Sequence, residues 1–298
     1  MARVTSEKIT ANWARSVLPE RPSEANKGSF GKVLVVAGSV NYIGAAYLAA
    51  SGAMRVGAGL VRLATPASLV PVLAAKLTEA TYLPLPEGGS GLSPGLAAGA
   101  VGHELGNYNV LLIGCGLGQN ESTVSFVRKL LLVKGKDLPP AVIDADGLNI
   151  LAGAPDWWRK LSDNAILTPH PGEMARLVGT SVEEVQKDRA GIAMKMAGKW
   201  GKTVVLKGAH TVVATPDGKA KISPFANAGL ASAGTGDVLS GVIAGLLAQG
   251  LGLADAAACG VYLHGEAGEM VKEKLGDAGM LASDLLPALP LAIKKLKE

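Results

Sequence analysis

Short apolar runs alternate with Ala-rich stretches of helical length along most of the chain. That alternation predicts an α/β fold, with a mostly parallel central sheet and helices on both faces. The length agrees, since 298 residues suit one large α/β domain or two small ones. Composition is the third sign. Hydrophobic residues make up 48% and aromatics only 4%, so the core must be filled by Ala, Val, Leu and Gly.

The expected strands are residues 33–37, 60–64, 110–113, 141–144, 165–168, 204–207 and 211–214. Each is a brief continuous apolar run, as strands buried on both faces are. The expected helices are 44–56, 121–133, 182–200, 237–248 and 254–274. Segment 84–99 is rich in Gly, Pro and Ser and reads as a surface loop, because the alternation resumes after it. Sheets of this kind bind ligands at the carboxyl ends of their strands.

Several function classes are excluded early. A formal charge of +4, from 29 basic and 25 acidic residues, is too small to imply a nucleic-acid partner. The two cysteines, Cys115 and Cys259, have no CxxC partner and suit a reducing compartment. The N-terminus lacks the apolar core of a signal peptide. The longest apolar stretch, 242–263, is interrupted by Gln249 and Asp255 and reads as a buried helix pair rather than a membrane span. A cytoplasmic protein acting on small molecules is the expectation.

Five segments carry chemistry. Residues 227–241 form a Gly/Ser/Ala-rich loop that runs straight into an apolar helix. This is a ready anion site at the positive end of a helix dipole, with Asp237 in the first turn. Asp237 either works beside that anion or caps its helix. After the strand 110–113 comes Gly114-Cys115-Gly116-Leu117-Gly118-Gln119, which starts like a dinucleotide fingerprint but has Gln119 in place of the final Gly. Gly116 either lets backbone approach a ligand or makes a tight turn. In Thr168-Pro169-His170-Pro171-Gly172-Glu173 two prolines fix a loop, so His170 either bonds a ligand or caps the turn. Lys207-Gly208-Ala209-His210-Thr211 joins two strands and either holds a phosphate or is a solvated turn. Asp144 and Asp146 end a buried strand, where metal–phosphate chemistry and helix capping compete.

Taken in order, these segments resemble the ADP/ATP-dependent NAD(P)H-hydrate dehydratases, a branch of the ribokinase-like superfamily. The resemblance starts at Lys27-Gly28-Ser29-Phe30-Gly31-Lys32, runs through Gly44-Ala45-Ala46 and Leu63-Ala64-Thr65-Pro66, and ends near Leu263-His264-Gly265. It implies one ribokinase-like domain over residues 1–298, with too few residues before Lys27 for the separate epimerase domain of some relatives. It further implies dehydration of NADHX and NADPHX, the reduced dinucleotides hydrated at ring carbon 6. ADP or ATP is the implied co-substrate and Mg²⁺ the implied cofactor, with no metal ligands assigned. Ala45, Gly116, His170 and Asp237 would contact the hydrated dinucleotide. Lys207, Gly208, Ala209, His210, Thr211 and Gly236 would bind the adenine nucleotide, and Ala233, Gly234, Thr235 and Gly236 would form the anion hole. Asp237 would be the base, ionised at neutral pH. A homotetramer working with a separate epimerase is implied as well. Three positions depart from the family's pattern: Cys115 and Ala228 stand where Pro is common, and Ala233 where Gly is.

Two other readings use the same residues. A small-molecule kinase of the hydroxyethylthiazole-kinase type would stop at a phosphate ester, and a non-catalytic adenylate sensor would only bind. The His170 loop and the Lys207–Thr211 segment match the dehydratases better, and Asp237 after a complete anion loop argues against the sensor.

Overall fold

The computed structural model describes residues 5–89, 91–134, 137–276 and 278–298. Its strands are β1 Thr5–Lys8, β2 Lys32–Val36, β3 Leu60–Pro66, β4 Thr81–Leu85, β5 Glu87–Gly88, β6 Gly91–Leu92, β7 Val110–Ile113, β8 Ala141–Ile143, β9 Ala165–Leu167, β10 Thr203–Leu206, β11 Val212–Ala214 and β12 Lys219–Ile222. Ten of them make one sheet in the order β1-β12-β11-β10-β9-β8-β7-β2-β3-β4, and β5 with β6 form a separate small hairpin. From β10 to β4 every pairing is parallel, while β11 runs antiparallel to β10 and to β12.

Residues alternate between faces along each strand and so feed two cores. Val33, Val35 and Ala37 join one cluster, with residues of the helices Ile43–Arg55, Thr235–Ala248, Leu253–Leu275 and Ala282–Lys297. Leu34 and Val36 join the other, with residues of the helices Pro94–Glu104, Glu121–Arg128, Pro171–Val178 and Arg189–Trp200. Helices on both faces of a mostly parallel sheet are what the alternation predicted.

The expected strands all form, within two residues of their expected ends. Three sheet strands lie outside the sequence reading, β1, β4 and β12. Two of them, β1 and β4, are the edges of the sheet; β1 and β12 carry polar residues at successive or alternate positions, and β4 contains Pro84, so no unbroken apolar run marks them. The single helix expected over 182–200 is two helices, Val182–Lys187 and Arg189–Trp200, because Asp188 leaves helical geometry and caps the second through Gly191 N–H at 2.8 Å. The expected helix 121–133 finishes in a wider π-type turn at Lys129–Val133. Segment 84–99 is more ordered than a loop, holding the end of β4, the β5–β6 hairpin and the start of the helix Pro94–Glu104.

Connectivity sets the site. The chain goes from β2 to β3 and β4 on one side, then returns to place β7, β8, β9 and β10 on the other. The strand order therefore switches between β2 and β7, where an open α/β sheet leaves a crevice at its carboxyl end. Close packing holds the helix Thr235–Ala248 over that end. A Cβ on Gly52 would lie 2.5 Å from the Val238 carbonyl oxygen, and one on Gly241 would strike the Ala49 carbonyl, so only glycine allows this approach.

Candidate active site

Two cavities open at the carboxyl ends of the strands. One, of about 420 Å³, is lined among others by His170, Lys207, Ser232, Thr235, Gly236 and His264. The other, of about 500 Å³, lies at the switch point and is lined among others by Gly38, Ser39, Tyr42, Leu117, Gly118 and Asp146.

Between them lies a buried polar cluster built on β8, β9, β10 and the helix Thr235–Ala248. Lys207 follows β10, and its Nζ donates to Asp144 Oδ1 at 2.6 Å, just past β8. Ser240 Oγ donates to Asp144 Oδ2 at 2.7 Å and is itself 3.3 Å from Thr168 Oγ1. Glu173 Oε2 lies 3.8 Å from Lys207 Nζ and accepts the His170 backbone N–H at 2.8 Å. Burial alone would lower the Lys207 pKa, but Asp144 and Glu173 outweigh it and raise it, so the ammonium stays charged. For Glu173 burial comes first and raises its pKa, partly offset by Lys207.

Asp237 is the acid of the group that has no cationic partner at hydrogen-bond distance among the described residues; the Cys115 thiol is its side-chain hydrogen-bond partner. It lies within 4.8 Å of the Asp144 carboxylate and the Cys115 thiol. Burial, then repulsion from Asp144, pushes its pKa up to about 7. This corrects the expectation of a carboxylate fully ionised at neutral pH, because desolvation and a like charge outweigh the helix dipole. It also leaves Asp237 poised as a proton acceptor near physiological pH. The capping alternative fails, because Gly234 is the N-cap and no side chain bonds the first-turn N–H groups. The Thr235 N–H donates to the Ser232 carbonyl at 3.4 Å, and the Gly236 and Asp237 N–H groups, with no partner among the described residues, remain open to a ligand. Gly234 turns with φ +89, a conformation that suits glycine, whereas Ala233 has no positive φ and is unstrained in place of a Gly. Burial, then Asp237 and Asp144, drives the Cys115 thiol well above its usual range, so it is an inert neighbour.

His170 caps its turn and also faces a cavity. Its Nδ1 accepts from Gly172 N–H at 3.0 Å, capping the helix Pro171–Val178, and the ring lines the first cavity. Since Nδ1 accepts, the proton sits on Nε2, 3.5 Å from Glu173 Oε1. Burial, then the Lys207 charge, lowers the pKa of this imidazole, which favours the neutral form. Gly208, Ala209 and Thr211 line the same cavity, but His210 does not. The His210 ring bonds the Ser223 carbonyl at 3.2 Å, and its backbone has φ +52, uncommon for a residue with a Cβ. Ala45 and Gly116 belong to the switch-point side. A Cβ on Gly116, which has φ +62, would come within 2.6 Å of the Ala45 Cβ, so the loop after β7 packs against the first turn of the helix Ile43–Arg55.

Sequence reasoning missed four contributors. Ser240 stands three residues after Asp237, on the same helical face, and that spacing was a usable signal. Glu173 was seen only as part of a loop. Arg189 donates to the carbonyls of Leu206 and Lys207, each at 3.0 Å, and to that of Ala209, tying down the loop after β10. His264 is buried and its Nε2 donates to the Thr235 carbonyl at 2.9 Å, with its pKa lowered to about 4 by burial. His264 was seen only as the end of the family resemblance, and Arg189 has no local pattern that would mark it.

A family model described as NAD(P)H-hydrate dehydratase matches residues 33–291. The chain belongs to the NAD(P)H-hydrate dehydratase family. It is 40% identical over 276 residues to the ADP-dependent (S)-NAD(P)H-hydrate dehydratase of Neisseria meningitidis, covering 91% of this chain and 88% of that one. It is 45% identical over 290 residues to the bifunctional NAD(P)H-hydrate repair enzyme of Moorella thermoacetica, but spans only 54% of that relative while 97% of this chain is covered. The crystal structure of the Bacillus subtilis ADP/ATP-dependent NAD(P)H-hydrate dehydratase, co-crystallised with ATP and Mg²⁺, superposes with a TM-score of 0.81. It is 34% identical, with 99% of this chain and all of that one covered. The dehydratase family and the ribokinase-like fold thus agree with the ordered motifs.

Proposed function

We propose that this protein dehydrates the S epimer of NADHX and NADPHX, coupling water loss to conversion of ADP to AMP and phosphate, or of ATP to ADP and phosphate. The observation that carries the reading is Asp237. Its carboxylate titrates at about 7, directly behind an uncapped helix start and beside a cavity that presents a charged lysine. A structural acid has no need of that combination.

The nucleotide occupies the first cavity. Lys207, Gly208, Ala209, Thr211 and Gly236 face its phosphates, and His210 shapes the turn from outside the lining. The hydrated nicotinamide lies toward the switch-point crevice, against Ala45 and Gly116, and meets His170 where that residue lines the first cavity. Asp237 accepts the proton of the 6-hydroxyl, whose oxygen attacks the terminal phosphorus as the remainder of the nucleotide departs. The N–H groups of 233–236 take up charge on the transferring phosphoryl group. Phosphate then leaves carbon 6, driven by the ring nitrogen's lone pair, and loss of a proton from carbon 5 restores the dihydronicotinamide. Phosphorylation turns a poor leaving group into a good one.

Mg²⁺ fits the donor set in a limited way. Both Asp144 oxygens are engaged, by Lys207 and by Ser240, and Mg²⁺ disfavours a thiol such as Cys115. Asp237 and Asp144 would therefore hold an ion that brings its own waters and phosphate oxygens. Such an ion supplies charge neutralisation at the phosphates. A homotetramer, partnership with an epimerase and a cytoplasmic setting belong to the same proposal. Among the described residues no helix is long and apolar enough to cross a membrane.

The test is incubation of the protein with (6S)-NADHX and ADP. Recovery of the reduced ring's absorbance should match AMP and phosphate formation one to one. Equal recovery without nucleotide, or no recovery with it, would overturn the reading.

A further inference from the structure

Asn227 opens the segment that leads into the loop before Asp237. Its Oδ1 accepts the Gly229 N–H at 2.9 Å and so caps the 3₁₀ turn Ala228–Ala231. An N–H can be received only by the amide oxygen, so this bond fixes which end of the amide is nitrogen. The Nδ2 end, with two N–H donors, then finds no acceptor among the described residues. Yet Asn227 is only 9% exposed and lines the first cavity.

A buried amide donor left unpaired costs about 1–3 kcal/mol, and nearly all buried polar side chains in native proteins are satisfied. The donor is therefore held for something that enters the cavity. Apolar Phe225, Leu230 and Val261 share that lining with Lys207, Thr235 and Gly236, a mixture that suits a ligand with a flat apolar part and a phosphorylated part. We infer that Asn227 is a nucleotide-binding residue, its Nδ2 donating to an acceptor atom of the adenine nucleotide while its Oδ1 holds the turn that leads to the anion loop. This rests on the reading of the first cavity as the nucleotide site.

Two substitutions separate the jobs of the two ends. Asn227→Asp and Asn227→Ser each keep an oxygen able to cap the turn, and both are good caps. Asp has no donor, and Ser is too short to place one where Nδ2 stands. Calorimetric titration with ADP should show a dissociation constant raised about ten-fold in both variants, with thermal midpoints close to that of the parent protein. A serine variant that binds ADP as tightly as the parent would overturn the assignment, including the case in which only the aspartate variant is weakened, by charge repulsion. Parent protein that binds no ADP would instead overturn the nucleotide reading itself.

Discussion

Lys207 Nζ stands 2.6 Å from Asp144 Oδ1, and this ion pair joins the lining of the first cavity to a carboxylate that is 1% exposed. The geometry changes what a lysine deletion should do. A solvated phosphate-binding lysine could be removed at little cost to the fold. Here Lys207→Ala leaves Asp144 buried and uncompensated, with Glu173 close by. Breaking a buried pair in this way typically costs about 3–5 kcal/mol. Chemical denaturation should show a loss of that order, and Lys207→Ala combined with Asp144→Asn should lose less than the two single changes added together. Additive losses would mean that the pair is not coupled.

The pH dependence follows from Asp237. Its pKa of about 7 means that the proton-accepting form disappears as pH falls through neutrality. The value of kcat/KM for NADHX should therefore rise from pH 6 to pH 8 with a midpoint near 7. Asp144 is the second cause of the elevation, after burial. Asp144→Asn should move the midpoint down, though not to the ordinary carboxylate range, because burial remains. An unshifted midpoint would remove Asp144 from this role.

The same elevation has a cost in stability. The folded protein holds the Asp237 proton up to about pH 7, whereas the unfolded chain releases it near 3.8. Across that window the unfolded state sheds the proton first, so stability is lost as pH rises from about 4 to about 7. Asp237→Asn carries no such penalty. At pH 8 the variant should be more stable than the parent by about 1–3 kcal/mol, and near pH 4 the two should match. Denaturation at both pH values checks this, and a variant less stable at pH 8 would contradict the desolvated state assigned to Asp237.

Much of the layered fold was legible because buried parallel strands announce themselves as unbroken apolar runs. Val33–Val36 and Val110–Ile113 need no partner to be recognised. β1, β4 and β12 did not show, since a strand near the sheet's edge with Lys, Glu or Thr in it has the pattern of a loop. In the site, the segments that carry chemistry were visible as Gly- and Pro-rich stretches after strands, and they do converge. Their electrostatics were not visible. Burial of Asp237, and its repulsion from Asp144 across about ninety residues of sequence, could not be read from the chain, so the dipole argument missed the upward shift of its pKa. The roles of Arg189 and His264 likewise depend on carbonyls that only the folded chain brings near them.

The most direct test of Asp237 as the base is turnover of (6S)-NADHX with ADP by the Asp237→Asn variant. The change is nearly isosteric and leaves the uncapped helix start untouched, since Asp237 makes no cap there. Asparagine cannot accept the hydroxyl proton. The account predicts a folded protein that binds ADP and has lost at least about 10²-fold in kcat. Near-normal turnover in that variant would contradict it and leave the proposed reaction without its base.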